Sequence, residues 1–235
     1  MATLSVCCLT RDPPERLRAI FDSLRAFTCE FVIAADSRVA AEERRAYGYL
    51  ADRVLEVDFS GYIEQHLAWL YAECSGDWIL RLDGDEVPSA ALLRVLPDLL
   101  KEPAIRQYWL PRRWVAPAGE GWLDELPWAP DYQNRLVRND EHVSFSGRLH
   151  SGAEPAFPAR YLHEPIYHLV CALETTEERL ARSLRYELMQ PHRIAPGGGP
   201  FNATYYVPER SAHREPIALP LDERPPIAAA LGRSV

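Results

Sequence analysis

Four short apolar runs in the first 82 residues, separated by segments of helical period, constrain the fold more than anything else in the chain. Thr3 to Leu9 predicts a buried strand, and Glu30 to Ala35 a second that ends at Asp36-Ser37. Arg53 to Val57 predicts a third and Trp78 to Leu82 a fourth. Between them, Pro13-Pro14 start a helix that carries Leu17, Ile20, Phe21 and Leu24 at helical spacing. Val39 to Leu50 is helix-like, and Tyr62 to Cys74 repeats the period through Ile63, Leu67 and Leu70. This βαβα rhythm predicts a parallel sheet with covered faces.

The fourth run ends in Asp83-Gly84-Asp85-Glu86. Carboxylates at the C-terminal edge of an open α/β sheet lie where ligands bind. Two aspartates on a turn opened by glycine can share a hard divalent cation and nucleotide phosphates. The alternative is a solvated turn whose acids cap the next helix. A calcium loop lacks its further oxygen ligands here.

Residues 1–103 therefore read as a nucleotide-binding half and 104–190 as an acceptor-side half of one α/β domain, followed by a Pro/Gly-rich tail over 191–235. In the second half, Ile105 to Val115, Tyr132 to Arg138 and His142 to Leu149 predict strands, and Thr175 to Met189 a charged amphipathic helix. The loop from Pro117 to Pro130 is long and rich in tryptophan, a texture typical of loops that bind or cover ligands. The tail is expected to carry little regular structure, or to wrap the domain.

A net charge of −8 and the lack of a basic tract exclude a nucleic-acid partner held through phosphates. The five cysteines show no C-x-x-C spacing, as expected of a reduced, cytoplasmic chain. No apolar run is long enough to span a membrane, so membrane contact is expected only as peripheral association at the inner face. His163 and His168 lack the spacing of H-E-x-x-H, and Pro165 opposes a helix bearing both, which argues against a zinc hydrolase.

Several pieces occur in an order that resembles a family 2 glycosyltransferase of the GT-A fold, in the branch of bacterial glycan-core transferases. They are Leu9-Thr10-Arg11-Asp12, Asp36-Ser37, Gly61-Tyr62 with Gln65, and Gly76-Asp77-Trp78 through Asp83-Gly84-Asp85-Glu86. Pro130-Asp131-Tyr132-Gln133-Asn134-Arg135-Leu136-Val137-Arg138, Leu149-His150 and Tyr167-His168 follow. The departures are Asp12 where the family usually has Asn, His66-Leu67 where it has a basic residue and Asn, and Ser151 after His150. The family's Gly-Ser-Thr-Asp run is absent after Ser37.

The resemblance implies a GT-A, Rossmann-like mixed sheet, mainly parallel and flanked by helices. It implies a manganese- or magnesium-dependent transfer of sugar from a UDP- or GDP-type donor to a glycan, lipid-linked or small-molecule acceptor. Asp85 would be the direct metal ligand, with His168 from the far side, and Asp83 would reach the metal through water or the ribose hydroxyls. Thr10, Arg11, Asp36 and Gly84 would line the nucleotide-sugar pocket. With inversion, a base opposite the leaving diphosphate is needed; Asp131 is the first candidate, ahead of Glu125 and Asp124. Arg135, Arg138 and Arg148 are candidate anion contacts, and Trp114, Trp122 and Trp128 are either sugar-stacking faces or buried under the long loop. Two rival readings remain: a sugar nucleotidyltransferase, whose glycine-rich loop is missing from Leu9 to Glu15, and a non-catalytic module that binds a nucleotide sugar or glycan.

Overall fold

A computed structural model of the chain describes residues 2–60, 62–148, 151–189 and 201–233. The expected alternation is realised as β1 (Leu4–Thr10), α1 (Pro14–Leu24), β2 (Glu30–Asp36), α2 (Ala41–Tyr47), β3 (Arg53–Val57), α3 (Leu67–Ala72) and β4 (Trp78–Arg81). Then come β5 (Glu86–Pro88), α4 (Ala90–Leu99), β6 (Gln107–Trp114), β7 (Gly121–Trp122), β8 (Tyr132–Arg138), β9 (Ala159–Tyr161) and β10 (Ile166–His168). The chain continues through α5 (Val170–Leu173), α6 (Thr176–Met189), α7 (Phe201–Tyr206), α8 (Pro208–Ser211), β11 (Ile217–Ala218) and α9 (Arg224–Ala230).

One sheet of nine strands runs in the order β3-β2-β1-β4-β8-β6-β10-β5, with β9 also paired to β6. The pairs among β3, β2, β1 and β4 are parallel, whereas β8 runs antiparallel to both β4 and β6. The architecture is thus the mixed, mainly parallel α/β sheet flanked by helices that the resemblance implies. β1 explains why both faces are covered, because all seven of its residues are buried. Leu4, Val6 and Cys8 join Leu17, Ile20, Phe21 and Leu24 of α1 in one core, while Cys7 and Leu9 pack with Leu67, Leu70 and Tyr71 in another. A strand buried on both faces reads as a continuous apolar run rather than an alternation.

Because β8 reverses direction beside β4, its N-terminal end lies at the edge where β1, β2 and β4 finish. β6 and β10 then deliver their C-terminal ends, Trp114 and His168, to the same edge. β5 runs back from that edge, antiparallel to β10, and α4 begins at its far end with a capped N-terminus, where Ser89 Oγ accepts a hydrogen bond from Leu92 N at 3.0 Å. Ser89→Ala is expected to cost about 1 kcal/mol, read as a lower urea midpoint with an unchanged slope.

Three expectations are corrected. His142 to Leu149 is not a strand over its described residues. Asp140 and Val143 close a turn, Gly147 takes a φ of 65°, and a single bridge joins Phe145 to Ala153. Tyr62 to Cys74 breaks into a 3-10 turn, Ile63–His66, before α3 begins. The segment after Pro191 was expected to have little regular structure, yet residues 201–233 hold three helices and a strand.

That last segment wraps the domain. Ile217 and Ala218 pair with β7, Trp128 Nε1 donates to Tyr205 O at 2.8 Å, and the Glu223 carboxylate accepts from Ala90 N at the start of α4. The prolines of α8 and α9 are compatible with helix because they occupy the first helical turn, where no N–H is needed. Gly61, Leu149, His150 and residues 190–200 lie outside the described residues.

Candidate active site

The loop after β4 places Asp83, Gly84 and Asp85 at the shared edge, and Gly84 leaves room there for the side chains of the β1 loop. A Cβ at that position would collide with Asp12 Oδ2 and come within 2.7 Å of Thr10 Oγ1, so the β1 loop lies directly against it. Thr10 Oγ1 donates to Asp12 Oδ2 at 3.0 Å, and Arg16 pairs with the same carboxylate. Burial raises the Asp12 carboxyl, and the charge of Asp85 raises it further.

Asp85 meets His168 across the loop, with Nε2 to Oδ2 at 3.3 Å. The chain is pinned here as well, since Leu169 N donates to Asp85 O at 2.8 Å. Burial pushes the Asp85 carboxyl up, but His168, and then Arg182 and Arg112, outweigh that and hold it well below the usual carboxylate range. The His168 ring packs edge-on against Trp114 with centroids 4.3 Å apart, and its Nδ1 is buried without a partner among the described residues.

Asp83, expected to help hold a metal, has both oxygens on arginines instead. Arg81 donates to Oδ1 at 2.9 Å and Arg135 to Oδ2 at 2.5 Å. Arg135 also donates to Glu86 Oε1 at 2.5 Å, and Arg112 reaches the same oxygen at 3.5 Å. Glu86 is fully buried, and burial together with Asp83 raises its carboxyl. Among the described residues no three His, Cys, Asp or Glu side chains converge as a metal cage. The pair that does converge supplies one carboxylate and one imidazole. That donor set fits a magnesium or manganese ion that takes its remaining ligands from phosphates and water.

Asp131 lies at the N-terminal end of β8. Its Oδ2 accepts from Arg112 Nε and Trp114 Nε1, both at 2.8 Å, and its Oδ1 from Gln133 at 2.7 Å. Burial raises this carboxyl, but Arg112 and the three donors outweigh burial and leave it ionised and lowered. Oδ1, with a single donor, keeps a lone pair for a further partner. Glu125 is spent elsewhere: its Oε1 accepts from the backbone of His213 and Arg214 and so fastens the C-terminal segment. Asp124 and Arg148 are exposed. Arg138 covers the Trp78 ring at 4.6 Å and donates to Glu102 O and Ile105 O, a core-edge role. Trp114 and Trp128 are buried, whereas Trp122 is half-buried beneath the Arg113 guanidinium.

At the end of β2, Asp36 is fully buried beneath two arginines. Arg11 Nε donates to Oδ2, while Arg38 donates through Nε to Oδ1 at 3.0 Å and through Nη2 to Oδ2 at 2.8 Å. Both arginines also donate to Phe59 O, at 3.1 and 2.9 Å. Burial opposes ionisation of Asp36, but the arginine hydrogen bonds outweigh it and depress the carboxyl to about 2. A depressed carboxyl adds stability above its unfolded value of about 3.9 and loses it as pH falls through the folded one. The stability gap between the wild type and Asp36→Asn is therefore expected to be constant above about pH 5 and to close between about pH 4 and 2. Urea midpoints measured across that range read it directly.

Sequence reasoning singled out Thr10, Arg11, Asp36, Asp83, Gly84, Asp85, Asp131 and His168, and the fold brings all of them to one edge. It missed Arg38, Arg112 and Arg182, and the acid cluster that Asp12 forms with Asp85. For Arg38 the only signal was its position two residues after Asp36.

No family model and no curated protein matches the chain. Partial likenesses exist among solved structures. Glucosyl-3-phosphoglycerate synthase from Mycobacterium tuberculosis, in complex with Mn2+, uridine-diphosphate and phosphoglyceric acid, is 19% identical, with a TM-score of 0.37 over 48% of this chain and 43% of that one. CMP:2-keto-3-deoxy-manno-octonic acid synthetase complexed with CTP is 11% identical, with a TM-score of 0.40 over 59% of this chain and 75% of that one. The chain thus spans less than half the length of the first synthase.

Proposed function

We propose that this chain is a divalent-metal-dependent glycosyltransferase that moves a sugar from a nucleoside diphosphate to a hydroxyl acceptor, with inversion. The observation that carries the reading is the Asp85–His168 pair at the C-terminal edge of the sheet, its imidazole buried and its carboxylate partly so, on a loop whose glycine lets the β1 loop close against it. Asp85 and His168 would hold manganese or magnesium. The bound ion supplies charge neutralisation for the departing diphosphate without a proton transfer.

The chain's own groups do the rest. Thr10, Arg11 and Asp36, with Arg38, form the nucleoside end of the edge. Arg81 and Arg135 fix Asp83, which holds the loop after β4 in place. Asp131 receives the acceptor's proton at Oδ1, while Arg112 and Trp114 on Oδ2 set its orientation. A carboxyl lowered in this way stays ionised into mild acid, which favours readiness over strength as a base. The acceptor belongs to the glycan, lipid-linked or small hydroxyl compounds. No helix among the described residues is long and apolar enough to cross a membrane.

Melting the protein with UDP, GDP, CDP and dTDP, each with and without manganese, tests the reading. Ligand at ~100 times its dissociation constant adds about 2.7 kcal/mol, which is a shift of a few degrees for a domain of this size. A manganese-dependent shift with one nucleotide, lost in Asp85→Ala, supports the transferase. A shift that ignores both manganese and Asp85 points to a binding module, and no shift at all leaves the acids as a capping turn.

A further inference from the structure

Beside the buried Asp36, an open groove of about 450 Å³ is lined by Arg11, Arg38, Val39, Ala40 and Glu43. Its chemistry is asymmetric. Two guanidiniums in its lining are held in place by Asp36 and Phe59 O, and Arg11 also covers the Phe59 ring at 5.3 Å. A guanidinium has five N–H donors. Arg38 spends three of them, one at Nε and two at Nη2, and Arg11 spends two, so Nη1 remains unspent in both. Their side chains are 53% and 60% exposed, so these donors face solvent. The same lining includes Glu43, exposed on α2, whose carboxylate makes no hydrogen bond or ion pair among the described residues.

We infer that this groove reads a guanine base, so that the donor is a GDP-linked sugar; the inference rests on the transferase reading above and narrows it. Guanine carries two adjacent acceptors, O6 and N7, which are the preferred partners of arginine. It also carries donors at N1 and the 2-amino group, which a carboxylate accepts. Adenine and cytosine present an amino group to the arginines in place of O6. Uracil and thymine have a single N–H and no exocyclic amine for Glu43. Asp36 does not touch the base directly: with both oxygens occupied, it is a positioning residue that fixes the two arginines. Held this way, the donors lose little freedom when the ligand arrives, which favours affinity.

Calorimetric titration of the full chain with GDP, IDP, UDP, CDP, dTDP and ADP, all in the presence of manganese, tests the inference. GDP is expected to bind about tenfold or more tightly than UDP, CDP, dTDP and ADP. IDP, which lacks only the 2-amino group, is expected to fall between them. Glu43→Gln, a change on the exposed face of α2, is expected to erase the margin of GDP over IDP, with the melting temperature unchanged. Binding of UDP, CDP or dTDP as tight as GDP would overturn the guanine assignment, and so would a GDP-to-IDP ratio that survives Glu43→Gln. If such binding still needs manganese and Asp85, the transferase reading stands without it. Absence of binding by every nucleotide would overturn both.

Discussion

Asp85→Ala is expected to lower kcat/KM for the sugar donor by about a thousandfold, the scale of several kcal/mol of lost charge stabilisation at the leaving diphosphate. The residue has no substitute nearby. Asp83 is spent on Arg81 and Arg135, and Glu86 is fully buried and paired with Arg135. Asp12, the remaining acid of the cluster, is held by Thr10 and Arg16 and is harder to ionise than usual. The fold should survive the change. His168 loses its partner at Nε2, a cost of about 1–3 kcal/mol for an unpaired buried polar group, which melting curves would show as a drop of several degrees. Steady-state turnover with the donor identified by nucleotide binding, beside those melting curves, separates lost chemistry from lost structure.

Arg135→Leu is expected to carry the largest stability penalty at the site, about 3 kcal/mol or more. Its guanidinium is almost fully buried and joins β8 to the loop after β4 through Asp83 and Glu86, each at 2.5 Å. Removing it takes away the guanidinium between the two carboxylates, leaving Asp83 on Arg81 and Glu86 on the more distant Arg112. Glu86 can relieve part of the strain by taking up a proton, since burial and Asp83 already raise its carboxyl. Glu86→Gln should therefore cost less than Arg135→Leu, and the double variant should cost less than the sum. Urea unfolding of the three variants at neutral pH measures this, and strictly additive losses would show that the pair does not act as a unit.

The first half of the fold was legible because each of its elements carries its own signal. The continuous apolar run of β1 announces burial on both faces, and the spacing of Leu17, Ile20, Phe21 and Leu24 announces the helix that covers one of them. The acids after β4 were legible for the same reason: an apolar strand that ends in Asp83-Gly84-Asp85 can end only at a sheet edge. In the second half, three-residue strands such as β9 and β10 have no period to detect, and they form because β6 offers them an edge. The C-terminal segment owes its order to docking, through Glu223 on α4 and Trp128 on Tyr205, which no local pattern encodes.

The candidate site divides in the same way. Residue types that bind metal or nucleotide could be named from spacing, but their partners could not. That Asp83 faces two arginines, that Glu125 fastens the backbone of His213 and Arg214, and that Arg38 turns back onto Asp36 are consequences of tertiary approach.

Electron paramagnetic resonance of manganese titrated into the protein with a nucleoside diphosphate tests the central claim most directly, since it reads metal capture at Asp85 and His168 without requiring turnover. The account predicts that the wild type removes the free-ion signal beyond what the nucleotide alone removes, and that Asp85→Ala and His168→Ala both lose this excess. Excess capture that persists in both variants, or none in the wild type, would contradict a metal site built on these two residues.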